Sequence, residues 1–326
     1  MSCHSDRRKP LVFILAGAVC ISFSGVWVTW SDVDPTVSAF YRVFFGSLFL
    51  AIACLLRHEF QRISLKAWLL TVLCGLCFAA DLYCWHASIF FIGPGLATII
   101  GNFQVFVLTL VSLAFFGERI RPLFFLSLPL AFFGLLLIIG FNWSSLSSDY
   151  RTGIYLGLAT ALFYSAFLLL LRRIQKVQQS LSFFFSLMLV SLSTAFFLAL
   201  SIWSSGSSFR ISGLVPVGSL LCLGLFSQTI GWSFIANSLP KVSPSVAGLV
   251  LLLQPSLAFV WDVLIFARPT SSIHWLGVGI TLLAIYLGMT ASRTRRPITT
   301  GSQMKKSPPR LATNRPTSYN NGREEN

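Results

Sequence analysis

Three charged side chains sit where charge is expensive. Arg42 lies in AFYRVFFGSL (39–48), Asp81 in CGLCFAADLYCW (74–85) and Asp262 in QPSLAFVWDVLIF (254–266), each inside an otherwise apolar run. If those runs cross hydrocarbon, an ionised side chain within one costs roughly 3 kcal/mol on insertion scales, so it is normally kept for a partner or a task. The arginine fork matches a carboxylate or phosphate. Arg42 therefore has three readings: it snorkels to the interface, it pairs structurally with an acidic residue or helix-end carbonyls, or it faces a cavity and holds an anionic group. Asp81 is its natural partner, with Asp32, Asp34 and Asp262 as alternatives. Asp81 is also the candidate carrier of a coupling proton.

Polar and aromatic residues gather near these charges in the sequence. Asp81 and Trp85 are four apart and share a helical face, and Gln228 and Trp232 repeat that spacing. Two such faces brought together would wall a polar-centred pocket with indoles, the other reading being packing or interfacial anchoring. Asn102, Gln104 and Gln254 place amides within apolar runs, to line such a pocket or to hydrogen-bond a neighbouring helix. Trp27 and Trp30 suit an aromatic belt at the end of the first run. His86 and His274 are isolated, and no spacing suits a metal or a cofactor. CGLC (74–77) reads as small packed side chains rather than a redox pair. No GxxxxGK[ST] loop occurs and no loop is long enough for a nucleotide domain, so any movement of solute would draw on a gradient, exchange or downhill flow.

The elements that must position these residues are apolar helices. Of 326 residues, 55% are hydrophobic and 10% charged, and the mean hydropathy is +0.77. A soluble domain carries about 25% charged residues. Ten apolar segments, each about long enough to cross hydrocarbon as a helix, fall at 11–30, 35–56, 67–90, 95–116, 120–140, 153–171, 180–203, 212–236, 245–266 and 273–291. The breaks SDVDP, FIGPG, GERIRP, LPKVSP and ARPTSS carry the Pro and Gly that end one helix and start the next. The basic start before the first run resembles a signal peptide but lacks a small-residue cleavage pattern, so residues 1–10 read as a cytoplasmic N-terminus before a retained helix. Residues 292–326 are polar, basic and Pro-rich, which predicts a disordered cytoplasmic tail. With sides alternating, 20 of the 24 Lys and Arg fall on one side and three on the other, Arg42 being the last. Both termini are thereby expected in the cytoplasm. The net charge of +14 sits in those loops and the tail, where it orients the chain and attracts anionic lipid rather than nucleic acid.

The segments also repeat. Trp85 and Trp232, like Asp81 and Gln228, are 147 apart, and after an insertion near LPKVSP the offset becomes 150. PGLAT (94–98) then faces PSVAG (244–248), Gln104 faces Gln254, and Glu118 faces Arg268. Five segments per unit is an odd number, so the second unit (153–291) is expected to run upside down relative to the first (11–140). Such inverted repeats exchange conformations and alternate the access of a midplane site, the architecture of a secondary transporter.

AFYRVFFGSL (39–48), FFGERI (115–120) and LLLQPSLAF (251–259), in that order over ten segments, resemble the EamA-type transporters of the drug/metabolite transporter superfamily across residues 11–291. The chain departs from that pattern at Arg268, where the second repeat usually has a glutamate, and at Val105, where a proline is common. The resemblance implies an all-α carrier of small metabolites in the cell (inner) membrane, often an exporter of amino acids or related compounds, with no enzymatic activity. Glu118, followed by Arg119, suits a helix-end cap or a gating salt bridge. The alternative, an intramembrane lipid-modifying enzyme, would need clustered acid/base or metal residues, which His86, His274, Asp81 and Asp262 do not form. Oligomeric state is not written in the sequence.

Overall fold

The computed structural model describes residues 5–116, 122–139, 146–238 and 244–291. Among them every regular element is helical: α1 (Ser5–Ser22), α2 (Ser24–Ser31), α3 (Pro35–Leu56), α4 (Leu65–Ile92), α5 (Pro94–Gly101), α6 (Gln104–Phe116), α7 (Pro122–Ile139), α8 (Ser148–Val177), α9 (Phe183–Ser204), α10 (Leu214–Cys222), a π-helical segment (Leu223–Gly231), α11 (Trp232–Ser238), α12 (Pro244–Phe266) and α13 (Ser272–Ala291). The GERIRP loop with Glu118, most of LPKVSP and the basic tail from 292 lie outside the described residues.

The starts follow from local chemistry. The Asp34 carboxylate accepts from Thr36 N–H at 2.8 Å, with Pro35 opening α3. Ser64, Ser147 and Ser182 cap α4, α8 and α9 by accepting backbone N–H groups. Such caps satisfy donors that have no intrahelical partner. Three of the apolar runs are interrupted. The first bends at Phe23 between α1 and α2, and the fourth breaks at Asn102–Phe103, where the Asn102 amide donates back to the Thr98 carbonyl at 2.8 Å. The eighth passes through the π segment, in which Thr229 Oγ1 donates to the Gly224 carbonyl.

Eight stretches, ending with Leu214–Ser238, are long and apolar enough to cross a membrane, and α12 and α13 add the shorter apolar segments Val250–Phe266 and Ser272–Gly288. Large apolar side chains face outward, among them Leu56, Phe115 and Leu214, as lipid contact requires. The helices pair across the chain: α4 packs mainly on α8, α3 on α9, α7 on α13 and α5 on α12, while α1 packs on α11 and α12. Where α7 meets α13, a Cβ on Gly134 would stand 2.8 Å from the Gly277 carbonyl, and one on Gly277 would stand 2.7 Å from the Gly134 carbonyl. Close backbone approach of this kind replaces the hydrophobic drive that lipid does not supply.

Candidate functional site

A cavity of about 240 Å³ lies among α1 to α6, α8, α11 and α12. Its lining includes Arg42, Asp81, Trp85, Asn102, Gln104, Trp232 and Gln254. Seven of the eight polar and aromatic residues singled out within apolar runs are thus gathered in one place. Gln228 is the eighth, and it does not line the cavity.

Gln228 sits behind Arg42 instead. Arg42 is 6% exposed, and its Nε donates to Gln228 Oε1 at 3.3 Å. Gln228 Nε2 in turn donates to Ser191 Oγ on α9 at 3.1 Å. The π segment explains the displacement. Its i→i+5 bonding widens the turn, so residues four apart no longer share one face. Gln228 turns toward α3 and α9, while Trp232 turns into the cavity. Gly46 makes room for the amide, because a Cβ there would overlap Gln228. The hydrogen-bond partner of Arg42 is therefore an amide of the second half of the chain rather than Asp81. The ion pairs among the described residues are Arg57–Glu59 and Arg268–Asp262, so Arg42 and Asp81 face one cavity without touching. The Arg42 guanidinium carbon lies 5.3 Å from the centroid of the Trp85 ring, a cation–π arrangement that holds the fork flat.

The remaining wall combines aromatic rings with unpartnered polar atoms. Trp232 packs edge-on against Phe167 and Tyr164, with centroids 5.8 and 6.3 Å apart. Gln104 Oε1 and Thr160 Oγ1 are buried without a hydrogen-bond partner and border the cavity. Thr160, Tyr164, Leu168 and Arg172 follow one another every fourth residue along α8 and all line the cavity. Reading charge alone missed Tyr164 and Thr160, and it assigned Arg172 to a loop; the four-residue spacing on α8 was the available signal. Arg172 is exposed, so the cavity reaches the surface at the C-terminal end of α8.

A second charged group lies away from the cavity, where α12 ends against the junction of α4 and α5. Arg268 Nη1 donates to Asp262 Oδ2 at 2.8 Å and to the Ile92 carbonyl at 2.6 Å, and Gly95 N–H donates to Asp262 Oδ2 at 3.1 Å. Asp262 thus has Arg268 as its ion-pair partner. Trp27 is partly buried with its indole N–H unpartnered, and Trp30 is 42% exposed. His86 Nδ1 lies 2.6 Å from Ser38 Oγ. Cys74 and Cys77 are free thiols. No three His, Cys, Asp or Glu side chains come together as metal ligands among the described residues.

A many-helix membrane protein with a charged, aromatic-walled interior cavity belongs to the architectural class of solute carriers. The sequence model of the EamA-like transporter family matches residues 8–140 and again 151–290, and the chain belongs to that family. No curated protein matches the sequence. Among the solved structures that resemble this chain is a crystal structure with a TM-score of 0.63 at 17% identity, covering 88% of this chain and 99% of that one. At that identity the likeness speaks for the fold alone.

Proposed function

We propose that this protein is a ten-span secondary carrier of small metabolites, amino acids or related compounds, working by alternating access in the cell (inner) membrane with both termini in the cytoplasm. The cavity carries the reading. It is shaped by helices from both matched halves, it presents a guanidinium and a carboxylate that do not neutralise each other by contact, and it reaches an exposed arginine at one end. Its volume, about 240 Å³, lies below the range of roughly 300–1,000 Å³ typical of drug-sized ligands. Arg42 is suited to an anionic group of the solute and Asp81 to a cationic one or to a coupling proton. Trp85, Trp232, Asn102, Gln104 and Gln254 supply walls and hydrogen bonds, and Glu118 is a candidate for a salt bridge on the cytoplasmic side.

The double family match supports two five-helix units, 11–140 and 153–291, of opposite orientation. So does the pairing of helices. Exchange of the two units maps the pairs α3–α9, α7–α13 and α5–α12 onto themselves, and α4–α8 onto the packing of α11 against α1. Export, import and exchange all fit this geometry, and exchange needs only a second solute.

The experiment is a thermal-shift screen of the purified protein against small metabolites, since a ligand that binds the folded form raises apparent stability. Counterflow of each hit in proteoliposomes follows. Labelled ligand should accumulate faster when unlabelled ligand is inside. Stabilising ligands that give no counterflow would contradict the carrier reading. Topology has its own check: tags at both termini and in 172–179 should be cytoplasmic, and cysteines in 141–152 should react with an impermeant reagent from outside.

A further inference from the structure

The Asp262–Arg268 group does more than neutralise two charges. Both residues belong to α12 and the turn that ends it. Ala267, with φ +50°, swings the chain back so that Arg268 N–H reaches the Asp262 carbonyl at 3.4 Å. What the pair grips lies in the first half of the chain, at the junction of α4 and α5. The Ile92 carbonyl belongs to the last turn of α4 and the Gly95 N–H to the first turn of α5, two groups that lack intrahelical partners. Arg268 meets the negative end of one helix and Asp262 the positive end of the next, both favourable orientations. The junction is built for this approach. Gly93 has φ +81°, and a Cβ there would stand 3.0 Å from Arg268 Nη1, while one on Gly95 would stand 2.9 Å from Asp262 Oδ2. Tyr150, in the first turn of α8, lies near enough to Arg268 and Asp262 for its hydroxyl to feel both charges.

This group and the cavity mouth lie at opposite ends of α8. Tyr150 and Arg172 are 22 residues apart, about 33 Å along the axis at 1.5 Å per residue. Cavity-lining positions on α8 begin at Thr160 and run toward Arg172, and those on α12 stop at Gln254, short of Asp262.

We propose that Asp262 and Arg268 form a clamp that closes the outer end of the carrier, and that release of Ile92 and Gly95 opens the cavity to that side. Within this group, the bonds that join the two halves are the two hydrogen bonds to backbone groups, whereas the ion pair lies wholly within the second half. Opening therefore breaks neutral-backbone contacts and leaves the charges paired, which avoids stranding a buried charge at each cycle. The clamp rests on the carrier reading above.

The test is accessibility of Thr98→Cys, which lines the cavity beyond the clamp, to an impermeant maleimide, with the same protein lacking that cysteine as the background. Wild-type clamp residues should give slow labelling in right-side-out vesicles and ready labelling in inside-out vesicles. Adding Arg268→Gln should speed outside labelling about fivefold and slow inside labelling, because the population moves toward the outward-open form. Unchanged outside labelling in a folded Arg268→Gln protein, or equal acceleration on both sides, would overturn the clamp. Should Arg268→Gln fail to accumulate, Arg268→Lys decides. It keeps the charge, but its side chain is one bond shorter, so its ammonium cannot reach the Ile92 carbonyl as the single Nη1 does while holding Asp262, and outside labelling should rise about twofold by the same shift in population; no rise overturns the proposal. Absence of labelling from either side with the clamp intact would sink the carrier reading itself, whereas inside labelling without any effect of position 268 sinks the clamp alone.

Discussion

Arg42 and Arg268 each share the interior of the bundle with an aspartate, yet they are held in opposite ways. Arg268 is in contact with Asp262 at 2.8 Å, and each partner also bonds one backbone group at a helix end. Arg42 is fastened through one nitrogen to an amide and stacked near an indole, and it shares a cavity with Asp81 without contact. The first arrangement pairs its charges with each other and with backbone ends; the second leaves its charges apart, facing open volume. On the readings proposed above, the same two residue types serve closure in one region and recognition in the other. The controlling difference is whether backbone ends or open volume surround them.

The largest effect that would sharpen this contrast is on abundance. Asp262→Ala strands Arg268 and leaves Gly95 N–H without its acceptor. Removing one partner of a buried pair costs about 3–5 kcal/mol, enough to deplete the folded protein from the membrane. Quantitative immunoblotting of membranes should show a severe drop, and near-normal levels would mean that the paired site contributes little to stability.

Arg42→Ala should act on transport before abundance, since the lost contact to Gln228 is neutral on the partner's side. A hydrogen bond to a charged group contributes about 1.5–3 kcal/mol, so counterflow at matched abundance should fall about 10- to 100-fold. Arg42→Lys should retain part of the rate, because it keeps the charge and loses the fork. A loss confined to abundance, with counterflow per molecule unchanged, would erase the distinction between the two arginines.

Gln228→Leu tests the support behind Arg42. The cavity wall stays intact, but the guanidinium loses its anchor and Ser191 loses its donor. The freed guanidinium can turn to water or solute in the cavity, so only about 0.5–1.5 kcal/mol of its anchoring should be lost, and the half-saturating concentration should rise about three- to tenfold by the same conversion. The maximal rate should change less. An effect as large as that of Arg42→Ala would show that Gln228 itself contacts the solute.

How much of this was legible in the sequence differs between the two regions. The apolar runs and their Pro- and Gly-marked breaks located the helices, because lipid leaves the backbone few alternatives. Gathering of Arg42, Asp81, Trp85 and the amides was suggested by polarity inside those runs. The partner of Arg42 was not legible, because the π segment turns Gln228 away from the face that four-residue spacing assigns to it. Nor was the Asp262–Arg268 pair. Arg268 reads as a loop charge until the turn at Ala267 returns it to the helix, and its other acceptor is a backbone carbonyl, which carries no sequence signature. The kink at Asn102–Phe103 is similarly hidden, since neither residue is a Pro or Gly.

The smallest effect expected has the opposite sign and isolates that turn. Ala267 occupies the left-handed region at φ +50°, where a Cβ costs roughly 1–2 kcal/mol. Ala267→Gly removes the Cβ while leaving Arg268 and its partners in place. Greater freedom of glycine in the unfolded chain offsets part of the gain, so the net change should be about 0.5–1 kcal/mol of added stability, read as a rise in apparent melting temperature in detergent. The clamp bonds are unaltered, so outside labelling of Thr98→Cys should stay as slow as in the parent. A lower melting temperature would mean that the turn draws rigidity from alanine rather than strain. Faster labelling would mean that the turn's stiffness, and not only the charges it presents, holds the outer end closed.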